Sequence, residues 1–219
     1  QNFGFTIAKL VPSDASNPSE WKSYVLTSLN RSTGAQTATR PSTDNEGKLE
    51  AVADTPGSYK YTFYRDLPGM QALLDSFTYS GNNRREDLGD LTWAPDLPHR
   101  LTIQIGGAAP GTGSNTPTGA QVTPAVNMAN PVNVTHDFVP ATGKVLTPAE
   151  LTREDVSIDN CNVCHGKLAF HGGSARVEVR YCVVCHTDQR AYGRAKVTST
   201  ATASAISFPA LKETATVNP

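Results

Sequence analysis

The residues that could do chemistry in this chain stand in two short runs. Cys161-Asn162-Val163-Cys164-His165 and Cys182-Val183-Val184-Cys185-His186 are C-x-x-C-H pentapeptides sixteen residues apart, and together they use all four cysteines. The pattern is that of covalent c-type haem attachment. In the first run Cys161 and Cys164 would each bind one porphyrin through a thioether, with His165 as the proximal iron ligand. In the second, Cys182, Cys185 and His186 would do the same for another. Two haem c groups, with their iron, are the expected cofactors. Two intervening residues let a tight turn bring both sulfurs to one edge of a ring, and the next position is close enough to put an imidazole under the iron.

The same spacing admits a rival. C-x2-C, seventeen residues, then C-x2-C lies within the range of a four-cysteine zinc site. Zinc would need only the thiolates, which makes a histidine after each pair a double coincidence. Two disulfides account for the pattern less well, because C-x-x-C closes a small strained ring that is more often redox-active than structural.

Each iron needs a sixth ligand. The two methionines, Met70 and Met128, lie outside the motif segment, so histidine is the expected donor and a low potential the expected consequence. His171 is the first candidate for a distal and metal-binding role. It sits between the motifs, and Gly172 and Gly173 after it let the backbone approach a flat ring. His136, beside Asp137 on an expected strand just before the motif segment, is the second; a histidine on a half-buried strand is more often structural. His99, at the start of another strand, reads as a turn residue. Arg176, Arg180, Arg190 and Arg194 could pair with propionates or simply form a solvated face. No Ser-His-Asp or paired-carboxylate arrangement stands out.

The elements that must position these groups divide the chain in two. Through residues 1–145 apolar residues come in short period-two runs, Phe3 to Ile7, Ser58 to Tyr64 and Arg100 to Ile105, separated by turn clusters such as Thr55-Pro56-Gly57 and Pro110-Gly111-Thr112-Gly113. These predict strands with one wet face in a mainly β domain without haem, a Greek-key or split-barrel-like sandwich. Short helices fit at 18–29 and 69–76. Asp137-Phe138-Val139-Pro140 should be the last strand, and 108–119 a surface loop. Thr147-Pro148-Ala149-Glu150 has the form of a capping box with proline at the first helical position.

Residues 146–219 read differently, as a largely irregular, short-helix dihaem segment. From 150 to 190 large apolar residues are too sparse to make a core from side chains alone, and porphyrin would supply the missing volume. The tail from Val197 is rich in Ser, Thr and Ala and predicts irregular, exposed chain.

The run from Cys161 to Arg176 together with Tyr181 to Asp188 resembles the opening of the first multihaem domain of outer-membrane decahaem cytochromes. Phe5 to Pro12, Trp21 to Tyr24 and Asp137 to Pro140 are similar to the β domain that precedes it in that family. The resemblance implies a distal ligand at His171 and electron flow toward extracellular acceptors. A family member carries ten motifs where this chain has two, so the chain would be a fragment or a short member.

The chain has 219 residues and a net charge of −1, which gives no support to nucleic-acid binding or electrostatic docking on an anionic membrane. No apolar run is long enough to span a bilayer. Frequent Gly and Pro, abundant Ser and Thr, and haem attachment after export all point to an exported protein at the cell surface, outer membrane or periplasm. The expected function is electron transfer, with other multihaem cytochromes, copies of the chain itself or extracellular acceptors as partners. A haem-dependent reductase of a small oxyanion, a zinc-stabilised binding module and a stacked conductive polymer are the alternatives.

Overall fold

The computed structural model describes residues 3–30, 32–38, 40–79, 84–153, 155–171, 175–187 and 189, with the backbone of 197–198 and 214–215. Its strands are β1 (Phe3–Val11), β2 (Glu20–Ser23), β3 (Thr27–Leu29), β4 (Gln36–Ala38), β5 (Lys48–Ala51), β6 (Tyr59–Thr62), β7 (His99–Ile105), β8 (Val132–Val139) and β9 (Lys144–Val145). Five of them form an antiparallel sheet in the order β2-β1-β7-β8-β9, while β3 pairs with β4 and β5 with β6 as separate hairpins. The helices are short: α1 (Met70–Asp75), α2 (Ile158–His165) and α3 (Val179–Cys182). The mainly β fold with short helices is as expected. The sheet, however, ends at β2 and β9 without joining, so among the described residues there is no closed barrel.

Strand alternation gives the sheet two faces with different tasks. On β1, Ile7 points into a core with Tyr24, Val25, Leu26, Met70, Leu74, Leu88 and Leu91. Its neighbours Ala8 and Leu10 point the other way, into a second cluster with Trp21, Leu151 and Val184. Leu151 and Val184 belong to the motif segment, so this cluster spans the boundary expected at 145. β1 is consequently buried from Gly4 to Leu10. The alternation of Phe3 to Ile7 had predicted one wet face; the motif segment lies on that face and keeps it dry.

The expected helix at 18–29 is replaced by β2 and β3. Trp21 and Ser23 are buried while Glu20 and Lys22 are half-buried, a two-residue period, and Leu10 lies opposite Trp21 in the ladder. Pairing with β1 decides the conformation there. At 69–76 the helix forms as α1, burying Met70 and Leu74 one turn apart. The capping box is present: the Thr147 N–H and hydroxyl both donate to Glu150 Oε2, at 2.9 and 3.0 Å. Lys144 donates to the other oxygen at 2.6 Å, and these contacts hold the exposed Glu150 at about 2. In the tail only a two-residue ladder is described, Val197–Thr198 against Thr214–Ala215; the rest of it, with Gly172, Gly173, Arg190 and Arg194, lies outside the described residues.

Candidate functional site

The first pentapeptide is helical, and the second runs on from a helix through hydrogen-bonded turns. Cys161, Cys164 and His165 lie on α2 at i, i+3 and i+4, which places their side chains on one face of the helix. Ser157 caps that helix, its hydroxyl accepting from the Asp159 N–H at 3.2 Å, and Gly166 ends it with φ +65°. The second motif continues from α3 in the same way, with the Cys185 and His186 N–H groups donating to Cys182 O at 3.1 and 2.8 Å. A helical turn, rather than an isolated tight turn, presents each thiol pair and its histidine together.

The two motifs differ in surroundings. On α2 no side chain is buried. Val163, inside the motif, is 84 % exposed, and Val156 and Phe170 are also open. An eight-residue helix that buries nothing is marginal in water, and apolar side chains left wet at a thiol pair fit a flat apolar group laid across them. Val184 within the second motif and Tyr181 just before it, by contrast, are fully buried. The Cys182 thiol donates to Glu178 O at 3.2 Å, and burial pushes the Cys185 thiol up to about 11. Among the described residues no three of His, Cys, Asp and Glu gather as a metal cage, and all four cysteines are free.

His171 comes close to the second motif. Its ring centre lies 6.0 Å from that of His186, with 40° between the planes. Two imidazoles on one metal, each bonded through nitrogen at roughly 2 Å, have ring centres about 6 Å apart. The loop bearing His171 is closed by a two-way backbone pair, Phe170 N–H to Arg176 O at 2.9 Å and Arg176 N–H to Phe170 O at 3.3 Å. His171 opens that loop with φ +65°, a left-handed conformation that costs a non-glycine residue about 1–2 kcal/mol. The residues present thus fit a haem group at both motifs.

The other two histidines occupy the opposite face of the sheet. Arg100, Thr102 and Gln104 on β7 and Asn133, Thr135 and Asp137 on β8 alternate toward the motif segment, so His99 and His136 point away from it. His136 is exposed, beside Phe138. His99, expected in a turn, is wholly buried at the start of β7. Its ring stacks on Tyr24 at 5.7 Å, and Nδ1 lies 2.8 Å from Leu97 O. Burial lowers its pKa.

What holds the motif segment on the sheet was not anticipated. Arg100, with its side chain wholly buried, grips Asp137 through Nε at 2.7 Å and Nη2 at 3.1 Å, and Asp155 through Nη1 at 2.5 Å. Its guanidinium also lies 4.4 Å from the Trp21 ring centre. Arg180 of α3 pairs with the same Asp137, and Arg176 Nε donates to Gln104 at 2.9 Å. Two of the four arginines offered for propionates, Arg176 and Arg180, are therefore engaged with the sheet. Two side-chain amides add strand-like pairing. Asn133 accepts from the Val177 N–H at 2.7 Å and donates to Ala175 O at 3.0 Å. Gln189 accepts from the Ser23 N–H at 2.6 Å and donates to Ser23 O at 2.9 Å. The available signal was Arg100 and Asp137 themselves, full charges on expected strands beside apolar neighbours.

Residues 153–211 match the family described as outer membrane cytochrome MtrC/MtrF-like, domains II/IV. The motif segment is thus similar to domains II/IV of that family, over 59 of the 219 residues. The resemblance read from Cys161 to Asp188 is borne out by it. Among solved structures the chain is similar to MtrC from Shewanella baltica OS185, at 26 % identity and a TM-score of 0.46, over 84 % of this chain and 24 % of that one. It is also similar to the outer membrane decaheme cytochrome OmcA, at 20 % identity and a TM-score of 0.44, over 86 % and 25 %. The chain spans about a quarter of the length of either. No curated protein matches it. No helix among the described residues is long and apolar enough to cross a membrane.

Proposed function

We propose that this chain is an electron-transfer unit of the MtrC/MtrF-like kind, carrying two covalently attached c-type haems. The observation that carries the reading is the His171–His186 imidazole pair, whose 6.0 Å ring separation suits two axial ligands of one iron directly beside a C-x-x-C-H turn. When bound, c-type haem supplies an iron that cycles between two oxidation states and a ring from which electrons tunnel to a neighbour. The chain's own task is positional. Cys161 and Cys164 would hold the first ring and His165 its iron; Cys182 and Cys185 would hold the second, with His186 and His171 for its iron. His136, on the far face of the sheet, is the lesser candidate for a sixth ligand. The buried arginine–carboxylate cluster fixes α3, and with it the second motif, on a rigid sheet. Electrons would pass to other multihaem cytochromes, to copies of the chain or to acceptors outside the cell.

The test is the visible spectrum of dithionite-reduced protein made with haem-attachment machinery, with iron, zinc and covalent haem counted per chain. A sharp low-spin α band with two haems is expected. In His171→Ala one of the two should turn high-spin and bind cyanide, while the other keeps its band. A colourless protein holding one zinc would overturn the reading.

A further inference from the structure

The face of the sheet turned away from the motifs carries a feature that electron transfer does not use. Phe3 and Phe5 of β1 lie opposite Ile105 and Ile103 of β7. With Leu101 they floor a cavity of about 550 Å³ that the β5–β6 hairpin roofs with Leu49, Tyr59 and Tyr61, and Phe63 closes one end. Every lining side chain is aliphatic or aromatic.

We propose that this cavity is a binding site for an uncharged, planar aromatic molecule. Three observations set the class. The volume falls in the range of about 300–1,000 Å³ that small-molecule pockets occupy. Charge is excluded, because none of the nine lining residues bears any and a buried ion with no partner pays its full desolvation. The aromatic class follows from the lining. Five of the nine residues are aromatic, Phe3, Phe5, Tyr59, Tyr61 and Phe63, and they already stack and meet edge-on, Phe5 parallel to Tyr61 at 3.6 Å with Phe63 across both, the contacts that an added aromatic ring extends.

The lining is held in place before any ligand arrives. The Tyr61 hydroxyl donates to Asp44 Oδ1 at 2.7 Å and accepts from the Gly47 N–H at 3.0 Å, which fixes the ring and turns its polar end onto the loop. Asp44 is in turn tied by a backbone pair to Phe5 on the floor, Phe5 N–H to Asp44 O at 2.8 Å and Asp44 N–H to Phe5 O at 2.6 Å. Roof and floor are thus joined at one end. At the other, Tyr59 is 66 % exposed and Phe3 36 %. Val132 and Val134, opposite Ile105 and Ile103 on β8, continue the floor outward. That open end is the entrance.

The experiment is calorimetric titration of the intact haem-loaded chain with N-phenyl-1-naphthylamine, an uncharged aromatic amine, with the aliphatic alcohol 1-dodecanol in parallel. Saturable binding of one naphthylamine per chain is expected, tighter than dodecanol. Ile103→Trp, which fills the floor, should weaken it at least tenfold with the visible spectrum unchanged. Tyr59→Ala, at an exposed position that does not endanger folding, should weaken it severalfold. The proposal is overturned by the absence of saturable heat, by dodecanol binding as tightly, or by both variants binding like the parent. It is equally overturned if the chain sediments as a dimer that Tyr59→Glu returns to monomer, because a second copy would then cover this face.

Discussion

Replacing Asp137 by Asn tests whether the motif segment is held by charge. The substitution keeps size and shape and removes one buried negative charge from a cluster of two arginines and two aspartates. In the parent, Asp137 accepts two bonds from Arg100 and one from Arg180, with its side chain wholly buried. In the variant, Asp155 stays on Arg100 while Arg180 loses its carboxylate, and an amide N–H group confronts one of the guanidiniums. Removing one member of a buried ion pair costs about 3–5 kcal/mol, because the remaining charge stays desolvated. The Trp21 face against Arg100 offsets little of that, about 1–2 kcal/mol at most, and it is present in the parent as well. For a chain of this size the loss corresponds to a melting point lower by about 6–20 °C. Far-UV circular dichroism of the haem-loaded protein in urea measures it, and limited proteolysis between residues 140 and 160 reports whether the segment lifts off. Arg180→Gln in the Asp137→Asn background should cost less than in the parent, since the guanidinium it removes has already lost its carboxylate. A loss below about 1 kcal/mol for Asp137→Asn, the range of an exposed pair, would refute the claim that the cluster is a dry latch.

Other consequences are as direct. A Cβ on Gly106 would stand 2.5 Å from the Ala175 Cβ and 3.2 Å from its Cα. Gly106→Ala should therefore destabilise by about 1–3 kcal/mol, and adding Ala175→Gly should restore most of it in the same urea titration; no rescue would mean that the two backbones do not meet there. Leu10→Ala empties part of the cluster shared by sheet and motif segment and should cost about 2–5 kcal/mol, with faster proteolysis of the segment as a second readout. His99 is buried with its pKa depressed, so the unfolded chain takes up its proton first as pH falls. Its contribution is complete above the ordinary histidine value near 6.5 and is lost as pH drops from there toward the folded value. His99→Gln should flatten the urea midpoint across that window, and an unchanged pH profile would show that His99 does not set it.

How much of this was legible in the sequence depended on whether the deciding interaction was local. The two C-x-x-C-H runs announced their chemistry because helix geometry brings i, i+3 and i+4 together whatever surrounds them. The Thr147-to-Glu150 cap was legible for the same reason, as its donors and acceptor lie within four residues. Helix α1 could be placed because Met70 and Leu74 repeat at one turn. Residues 18–29 misled because their strand conformation is imposed by pairing outside the stretch, of β2 with β1 and of β3 with β4. The role of β1 was hidden more deeply. Ala8 lies on the expected wet face until Leu151 and Val184, more than 140 residues later, come down beside it and Leu10. The same distance hid the latch: Arg100, Asp137, Asp155 and Arg180 lie on segments far apart in sequence, and only the fold makes them one cluster. His136 illustrates the limit best. Beside Asp137 it seemed within reach of an iron, yet the alternation that turns Asp137 toward α3 turns His136 to the opposite face. A single-residue step along a strand thus separates a group that grips the motif segment from one that cannot meet it on that face.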